Sequence, residues 1–273
     1  MPETSAHPAH LALLAPMAYA AEEAGAWVHA RPRPEAAGTM DELRTAFAAV
    51  DDPATDLLRG RLSALRPDAV WAEELDTVLP AEGAAWVVDA VDGAVQYLQG
   101  LTSWCVSVTL VEDGEPVAAV LHSPVLGETY TAALGHGTRR DGLLVSPSRK
   151  RALEAAVLAH THPPFPDGRS EAVELAGRSL AAVLPAVAAV RNLGPTSWQI
   201  ADVAAGRLDA FWEYGRDDSN LLAGALLARE AGVEVTDPSG AYWRAGATGF
   251  VAAPAALHEP LLALLPRPVR TGS

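Results

Sequence analysis

Two aspartates at the end of an apolar segment have a spacing that points to metal chemistry. The segment Trp86-Val-Val-Asp89-Ala-Val-Asp92-Gly93 sets Asp89 and Asp92 three residues apart, beside a glycine that permits a tight turn. Glu73 and Glu74 follow another short apolar run. Carboxylate oxygens are the ligands that hard divalent cations prefer, so acids at several strand ends predict a metal site. An isolated acidic pair also suits a solvated turn, and the joint occurrence of these acids favours the metal site.

The composition narrows the classes of function. The chain has 273 residues, 49% of them hydrophobic, and can bury a large core in one domain or in two apposed lobes. A formal charge of −14 argues against binding to nucleic acid or to an anionic membrane. The apolar run 11–21 is too short for a bilayer and lacks the basic leader of a secretory signal, so we expect a cytoplasmic protein. A single cysteine, Cys105, excludes an internal disulfide and is expected to be a small buried hydrophobe.

The elements that must position the acids follow from hydrophobic periodicity and from the breaks at proline and glycine. Apolar residues at helical spacing predict helices over 11–30, 52–66, about 170–183 and 219–231. Short apolar runs predict strands over 69–72, 85–88, 105–111, 116–121, 155–159 and 187–191, with a hairpin at Glu112-Asp-Gly-Glu115. This order predicts a fold of layered α and β elements.

Several motifs, in this order along the chain, resemble the inositol monophosphatase family of magnesium-dependent, lithium-sensitive phosphomonoesterases. Residues 86–97 are similar to W-(I/V)-(I/V)-D-P-(I/L)-D-G-T-T-N-F, residues 206–213 to G-R-L-D-(A/G)-(Y/F)-W-E, and residues 230–237 to E-A-G-G-x-V-T-D. The resemblance implies an α/β fold, an alternating α/β/α/β/α sandwich that is usually a homodimer. It also implies one domain over 1–273, with lobes at roughly 1–145 and 146–265 and a flexible tail at 266–273.

The resemblance assigns a metal-binding role to each acid. Glu73 would bind a metal and orient the attacking water, and Asp89 would bridge two metals. Asp92 would bind the second metal and contact the substrate, while Val91 would contribute its backbone carbonyl. Asp51 falls where the family has an acid for a more weakly bound metal. Glu73, Asp89 and Asp92 are therefore the predicted catalytic residues.

Other residues are predicted to lie on the substrate side. In the family, the position of Glu213 contacts a substrate hydroxyl, and the motif R-x-x-G-(S/T)-A-A, similar to residues 191–197, lines the pocket. His160 and His162 are expected on a loop at the pocket edge, where histidine suits acid–base chemistry, although such a loop is also a common surface turn. The predicted substrate-side set is Asp92, Gly93, Ala94, Gly194, Thr196, Glu213, Asp217, His160 and His162.

Two positions depart from the family pattern. Ala94 stands where the family has a threonine that helps to activate water. Asn220 stands where W-D-x-A-A-G has a metal-binding aspartate, and an amide oxygen is a weaker, neutral Mg²⁺ ligand. Asp217 or Asp218, just upstream, would replace the lost carboxylate if it turned inward. The alternative is that Asp218 or Ser219 caps the following helix.

Three functions remain open on the sequence. The first is a Mg²⁺-dependent phosphomonoesterase of inositol phosphate, another sugar phosphate or a nucleotide phosphate, with weak or altered activity; the number of Mg²⁺ sites, two, one or none, is left open. The second is a repurposed enzyme of specialised metabolism that performs elimination, cyclisation or isomerisation in the same pocket. The third is a non-catalytic, phosphatase-like binding protein. In each case the expected partner is a small molecule, phosphorylated if the protein is a phosphatase.

Overall fold

The computed structural model describes residues 7–33, 38–72, 79–162 and 171–267. The predicted ligand Glu73 and its neighbour Glu74 lie outside the described residues, as does the tail from residue 268. The helices in the described part are α1 (Pro8–His29), α2 (Met40–Leu65), α3 (Ala94–Gln99), α4 (Glu171–Val183), α5 (Thr196–Ala204), α6 (Asp218–Glu230) and α7 (Ala255–Leu264). None of these helices is long and apolar enough to cross a membrane.

The first sheet is a meander whose strands neighbour one another in chain order. Its strands are β1 (Val70–Ala72), β2 (Ala84–Asp92), β3 (Cys105–Glu112), β4 (Glu115–Ser123), β5 (Glu128–Ala133), β6 (Thr138–Arg140) and β7 (Leu143–Leu144). β1 pairs parallel with β2, and the later pairs are antiparallel. The predicted hairpin joins β3 to β4, with Asp113 at φ 51° and Gly114 at φ 79°. Positive φ at both positions is typical of a two-residue hairpin turn.

The second sheet mixes parallel and antiparallel strands. Its strands are β8 (Val157–Thr161), β9 (Ala189–Arg191), β10 (Ala210–Tyr214), β11 (Glu234–Thr236) and β12 (Gly249–Ala253), in the order β11-β12-β10-β8-β9. β8 pairs parallel with both β9 and β10, whereas β12 pairs antiparallel with β10 and β11. The parallel pair of β8 and β10 carries two of the sequence-predicted segments of the site.

Helices and sheets alternate in five layers. α1 and α2 cover one face of the first sheet, where Met17, Leu58 and Trp86 are buried together. α5 and α6 pack against each other and against both sheets. α4 and α7 cover the far face of the second sheet, around Trp212 and Leu257. The predicted α/β/α/β/α sandwich is confirmed, and the acids come from elements on both sides of the central helix layer.

The sequence prediction was wrong about the start of the second helix. Asp51-Asp-Pro53 resembles a helix start, because aspartate caps helices and proline suits the first turn. The helix begins instead at Met40, after Thr39, whose side chain accepts a hydrogen bond from the backbone N–H of Glu42 at 3.3 Å. The elements α3, α5, α7, β5–β7 and β10–β12 were not predicted from periodicity.

Candidate active site

Asp89 and Asp92 lie at the carboxyl end of β2, where the chain turns into α3. The pairing of β2 with β3 is irregular between these two residues, and Gly93 follows with φ 99°. A Cβ at Gly93 would lie 2.9 Å from the carbonyl oxygen of Ser103, so the turn requires glycine. Oδ1 of Asp89 accepts a hydrogen bond from the backbone N–H of Val91 at 2.9 Å. Both carboxylates are buried at this turn.

Two polar side chains contact Asp92 from neighbouring elements. The hydroxyl of Ser197, in α5, donates a short hydrogen bond to Oδ2 of Asp92. Sγ of Cys105, in β3, lies 3.8 Å from the same oxygen. Burial raises the pKa of Asp92 to about 7; the hydrogen bond from Ser197 opposes this shift, and the negative charge of Asp217 adds to it. Asp217 is therefore close enough to act on Asp92 electrostatically.

Asp217 is buried immediately before α6 and is held by Asn220. Nδ2 of Asn220 donates a hydrogen bond to Oδ1 of Asp217 at 2.7 Å. Oδ2 of Asp217 is buried and accepts no hydrogen bond from an N–H or hydroxyl donor among the described residues, and the Asp217 carboxyl also shares a hydrogen bond with that of Glu213. Burial raises the pKa of Asp217 to about 6. Of the two aspartates at this helix start, Asp217 is the one with an oxygen that accepts from no such donor.

Asp218 is occupied by structural contacts. Its Oδ2 accepts a hydrogen bond from Nε of Arg216 at 2.6 Å, and its Oδ1 accepts one from the backbone N–H of Gly246 at 2.7 Å. The expected capping of α6 by Asp218 or Ser219 was wrong, because the helix already begins at Asp218. Asp217 holds the capping position and makes no side-chain cap hydrogen bond.

Glu213 joins these acids from β10. Its side chain is fully buried and shares a hydrogen bond with the carboxyl of Asp217; in the described part of the chain no N–H or hydroxyl group donates to either of its oxygens. Burial raises the pKa of Glu213 well above its ordinary value, and the charges of Asp217 and Asp92 raise it further. We refer to Asp92, Glu213 and Asp217 as the acidic cluster.

The acidic cluster has the character of a site for a hard cation. Buried carboxylates are costly unless a cation or hydrogen-bond donors compensate them, and no N–H or hydroxyl donor in the described part of the chain reaches the oxygens of Glu213 or Oδ2 of Asp217. Mg²⁺ takes oxygen ligands of this kind. The described residues alone do not bring three metal-binding side chains into one group. The carboxylate oxygens of the acidic cluster suit Mg²⁺, but a complete site needs a further ligand. The resemblance assigns the role of that ligand to Glu73.

The two predicted histidines lie in different environments. His160 is inside β8, not on the loop after it, because the strand continues to Thr161. It stacks on Trp212, with ring centroids 4.6 Å apart. Adjacent residues of a strand face opposite sides, so His160 and Trp212 lie on the side of the sheet away from Glu213. His162 follows the strand, is exposed, and lowers the pKa of Asp217 by its charge.

The remaining predicted residues lie on several elements. Ala94 and Thr196 are the first residues of α3 and α5, and both are half-buried. A side chain at Gly194 would collide with Nε2 of Gln96, so the chain before α5 lies against a side chain of α3. Asp51 lies in α2, where burial raises its pKa to about 6, and its Oδ1 has no partner among the described residues.

Sequence reasoning missed the role of Ser197. This residue is 105 positions from Asp92 along the chain, and only the fold brings the two together. A signal was present, since the motif R-x-x-G-(S/T)-A-A has an alanine where this chain has Ser197. Cys105 was predicted to be buried, and it is, but it also contacts Asp92.

Comparisons with known proteins agree with this geometry. The family model of the inositol monophosphatase family matches residues 17–269. The inositol-1-monophosphatase of Rhizobium meliloti is 34% identical over 192 residues, which are 70% of this chain and 71% of that protein. The Nus factor SuhB of Pseudomonas aeruginosa is 36% identical over 163 residues, 59% of this chain and 60% of that protein, so the match spans less than two thirds of that relative.

Solved structures of other proteins match this chain over nearly its whole length. The crystal structure of the extragenic suppressor protein suhB from Bartonella henselae aligns with a TM-score of 0.79 and 26% identity, and the alignment covers 94% of this chain and 100% of that one. The layered fold, the acids at the end of β2 and the family match over residues 17–269 lead to one conclusion. The chain belongs to the inositol monophosphatase family.

Proposed function

We propose that this protein is a Mg²⁺-dependent phosphomonoesterase of small phosphorylated molecules in which Asp217 replaces the ligand lost at Asn220. Membership of the family supports the reaction class. One observation carries the proposal: Asn220 donates a hydrogen bond to Oδ1 of Asp217, while the rest of the buried Asp217 carboxyl faces the acid Glu213 and accepts no hydrogen bond from an N–H or hydroxyl donor among the described residues.

Moving the carboxylate from residue 220 to residue 217 requires little change in the fold. Asp217 directly precedes α6, and Asn220 is the third residue of that helix. Both side chains therefore belong to the first turn of the helix. With Asp217 included, the proposed set of Glu73, Asp89, Asp92 and Asp217 again has four carboxylates. Asn220 then serves as a neutral donor that orients Asp217.

Each residue of the proposed site has a distinct task. When bound, Mg²⁺ stabilises charge on the phosphate oxygens and lowers the pKa of the attacking water. Asp89, Asp92 and Asp217 would hold it, together with Glu73 and the carbonyl of Val91. Ala94 has no hydroxyl with which to orient the water. Because general-base assistance is typically worth about 10²–10⁴ in rate, we propose that hydrolysis is slow.

Substrate binding is proposed for the residues beside the carboxylates. Glu213 has a pKa well above its ordinary value, because it is buried near Asp217 and Asp92. A raised pKa favours the protonated form of a carboxyl, and a protonated carboxyl can donate a hydrogen bond to a substrate oxygen. Gly194 and Thr196, next to α3, and Gly93 are the proposed backbone contacts. His162 is retained in this set, whereas His160 is left out because it packs on Trp212.

A second function is favoured by the pKa of Asp92. Burial raises that pKa to about 7, which suits a general acid or base near neutral pH. In a repurposed enzyme, Asp92 would exchange a proton with a substrate during elimination, cyclisation or isomerisation, without Mg²⁺. Activity that survives chelation but fails in Asp92→Asn would identify this alternative.

The experiment measures phosphate release from inositol, sugar and nucleotide monophosphates with and without EDTA. We expect slow, Mg²⁺-dependent release that Asp217→Asn reduces by at least about tenfold. Asp218→Asn is the matched control, because Asp218 contacts Arg216 and Gly246, and we expect it to keep the rate. Equal rates for wild type and Asp217→Asn would reject the replacement of the ligand. If no phosphomonoester is hydrolysed and no Mg²⁺ is bound, the non-catalytic binding protein is the better description.

We further propose that the protein acts as a cytoplasmic homodimer. The resemblance to the family supports the dimer and the cytoplasmic location. Light scattering on the purified chain tests the dimer directly, since a single species at the monomer mass would reject it.

A further inference from the structure

Ser197 presents a buried hydroxyl directly to a proposed metal ligand. It lies in the first turn of α5 and is completely buried, as is Cys105. Its hydroxyl donates to Oδ2 of Asp92, and its Oγ lies 3.6 Å from Sγ of Cys105. The two side-chain hydrogen bonds recorded for Asp92 among the described residues both go to Oδ2.

Two donors on one oxygen fix the orientation of a carboxylate. The turn at Gly93 sets the backbone of Asp92, but the torsions of its side chain remain free to rotate unless something holds them. Hydrogen bonds from Ser197 and Cys105 restrict that rotation from the side of α5 and β3. Residues that orient metal ligands in this way typically contribute about 10–100-fold to metal affinity.

We propose that Ser197 is a positioning residue, which holds Asp92 in the orientation that binds the cation through its other oxygen. This inference rests on the proposed Mg²⁺ site. Ser197 acts on the metal only through Asp92. The contribution of Cys105 is smaller, because a thiol is a weak hydrogen-bond donor.

A purely structural role predicts a different result from a positioning role. If Ser197 only filled space, Ser197→Ala would change the melting temperature and leave the affinity for Mg²⁺ unaltered. An alanine occupies less volume than a serine, so the variant fits the same buried position. Ser197→Thr keeps the hydroxyl and should retain much of the affinity if the added methyl is accommodated.

The test is calorimetric titration of Mg²⁺ into the wild type, Ser197→Ala and Ser197→Thr, with melting temperatures measured in EDTA. Ser179→Ala is the matched control, because Ser179 is also a fully buried serine, but its hydroxyl donates to the carbonyl of Ala176 and accepts from Nε1 of Trp212, away from Asp92. We expect Ser197→Ala to bind Mg²⁺ about 10–100-fold more weakly. We expect Ser179→Ala to keep the wild-type affinity, even if its melting temperature falls.

The outcomes separate this inference from the proposed function. Wild-type affinity in Ser197→Ala would overturn the role of Ser197 and leave the Mg²⁺ site intact. An equal loss of affinity in Ser179→Ala would also overturn it, because the effect would then be one of general destabilisation. A wild-type protein that binds no Mg²⁺ would overturn both proposals. If Ser197→Thr does not fold, the comparison of Ser197→Ala with Ser179→Ala decides the question.

Discussion

Nδ2 of Asn220 donates a hydrogen bond to Oδ1 of Asp217 at 2.7 Å. The residue that departs from the family pattern therefore contacts the residue that we propose to compensate for it. The charge of Asp217 raises the pKa of both Asp92 and Glu213. The contact between Asn220 and Asp217 therefore lies beside the acidic cluster and not on the outer surface of α6. Under our proposal, the carboxylate missing at residue 220 is replaced by the one at residue 217, in the same turn of the chain.

Restoring the missing hydroxyl should accelerate hydrolysis. Ala94→Thr places a hydroxyl at the first position of α3, where the family pattern has one. We expect kcat for phosphate release to rise by roughly 10², at the lower end of general-base contributions. Val95→Thr is the matched control, because Val95 is the next residue and is 55% exposed. An unchanged kcat in Ala94→Thr would mean that the attacking water is oriented by another group.

Restoring the aspartate at residue 220 alone should destabilise the protein. Asn220→Asp replaces the donor to Asp217 by a second carboxylate and leaves a buried acid unpaired, which typically costs about 1–3 kcal/mol. Urea denaturation in EDTA measures this cost, and saturating Mg²⁺ should reduce it. Ser219→Asp is the control, because it adds the same charge at the same helix start, where a negative charge is favourable. Equal stability of Asn220→Asp and the wild type would contradict the described contact.

The fold class and the positions of Asp89 and Asp92 could be predicted from the sequence, whereas the choice between Asp217 and Asp218 could not. Asp89, Asp92 and Gly93 are neighbours in one motif, so local spacing was sufficient. Asp218 is held by the backbone of Gly246, which is 28 residues away, and no local pattern contains that contact. The errors about His160 and Ser197 have the same physical origin, because tertiary packing decides which contacts a polar side chain makes.

His160 and Ser197 illustrate this limit in opposite directions. His160 was predicted for the site because it follows an apolar run, but the strand extends two residues further than predicted, and His160 within it stacks on Trp212. Ser197 was overlooked because its partner, Asp92, lies 105 residues away. Periodicity identifies elements and their buried faces, and it carries no information about contacts between distant polar groups.

The stability of the metal-free protein should fall as the pH rises from about 4 to about 7. Folding raises the pKa of Asp92 to about 7 and that of Asp217 to about 6, against about 3.9 for an unfolded aspartate. Between these values the native state binds more protons than the unfolded state. The free energy of unfolding therefore decreases with pH until both groups are ionised.

Urea denaturation in EDTA at several pH values tests this dependence. Asp217→Asn should give a shallower decrease, because one of the shifted groups is gone. Mg²⁺ should restore most stability at pH 8, since a ligand that binds only the native state stabilises it. The same slope in the wild type and in Asp217→Asn would show that Asp217 does not titrate in this range.

Gly93 should tolerate substitution less well than a glycine with similar backbone geometry. Gly93 has φ 99° and Gly83 has φ 90°, so alanine is strained at both positions by about 1–2 kcal/mol. Only at Gly93 would the new Cβ meet a backbone atom, the carbonyl oxygen of Ser103 at 2.9 Å, while nothing lies within 4 Å at Gly83. We expect Gly93→Ala to lose more stability than Gly83→Ala and to bind Mg²⁺ more weakly. Equal losses in urea denaturation would mean that the turn after Asp92 is not tightly packed.

The most direct test of the account is calorimetric titration of Mg²⁺ into Asp217→Asn and into the swapped variant Asp217→Asn/Asn220→Asp. If the carboxylate has moved within one helical turn, Asp217→Asn should bind Mg²⁺ at least about tenfold more weakly, a loss of about 1.4 kcal/mol. The swapped variant, which returns the acid to residue 220 and the amide to residue 217, should recover most of the wild-type affinity. Wild-type affinity in Asp217→Asn would contradict the account, as would a swapped variant that binds no better than Asp217→Asn.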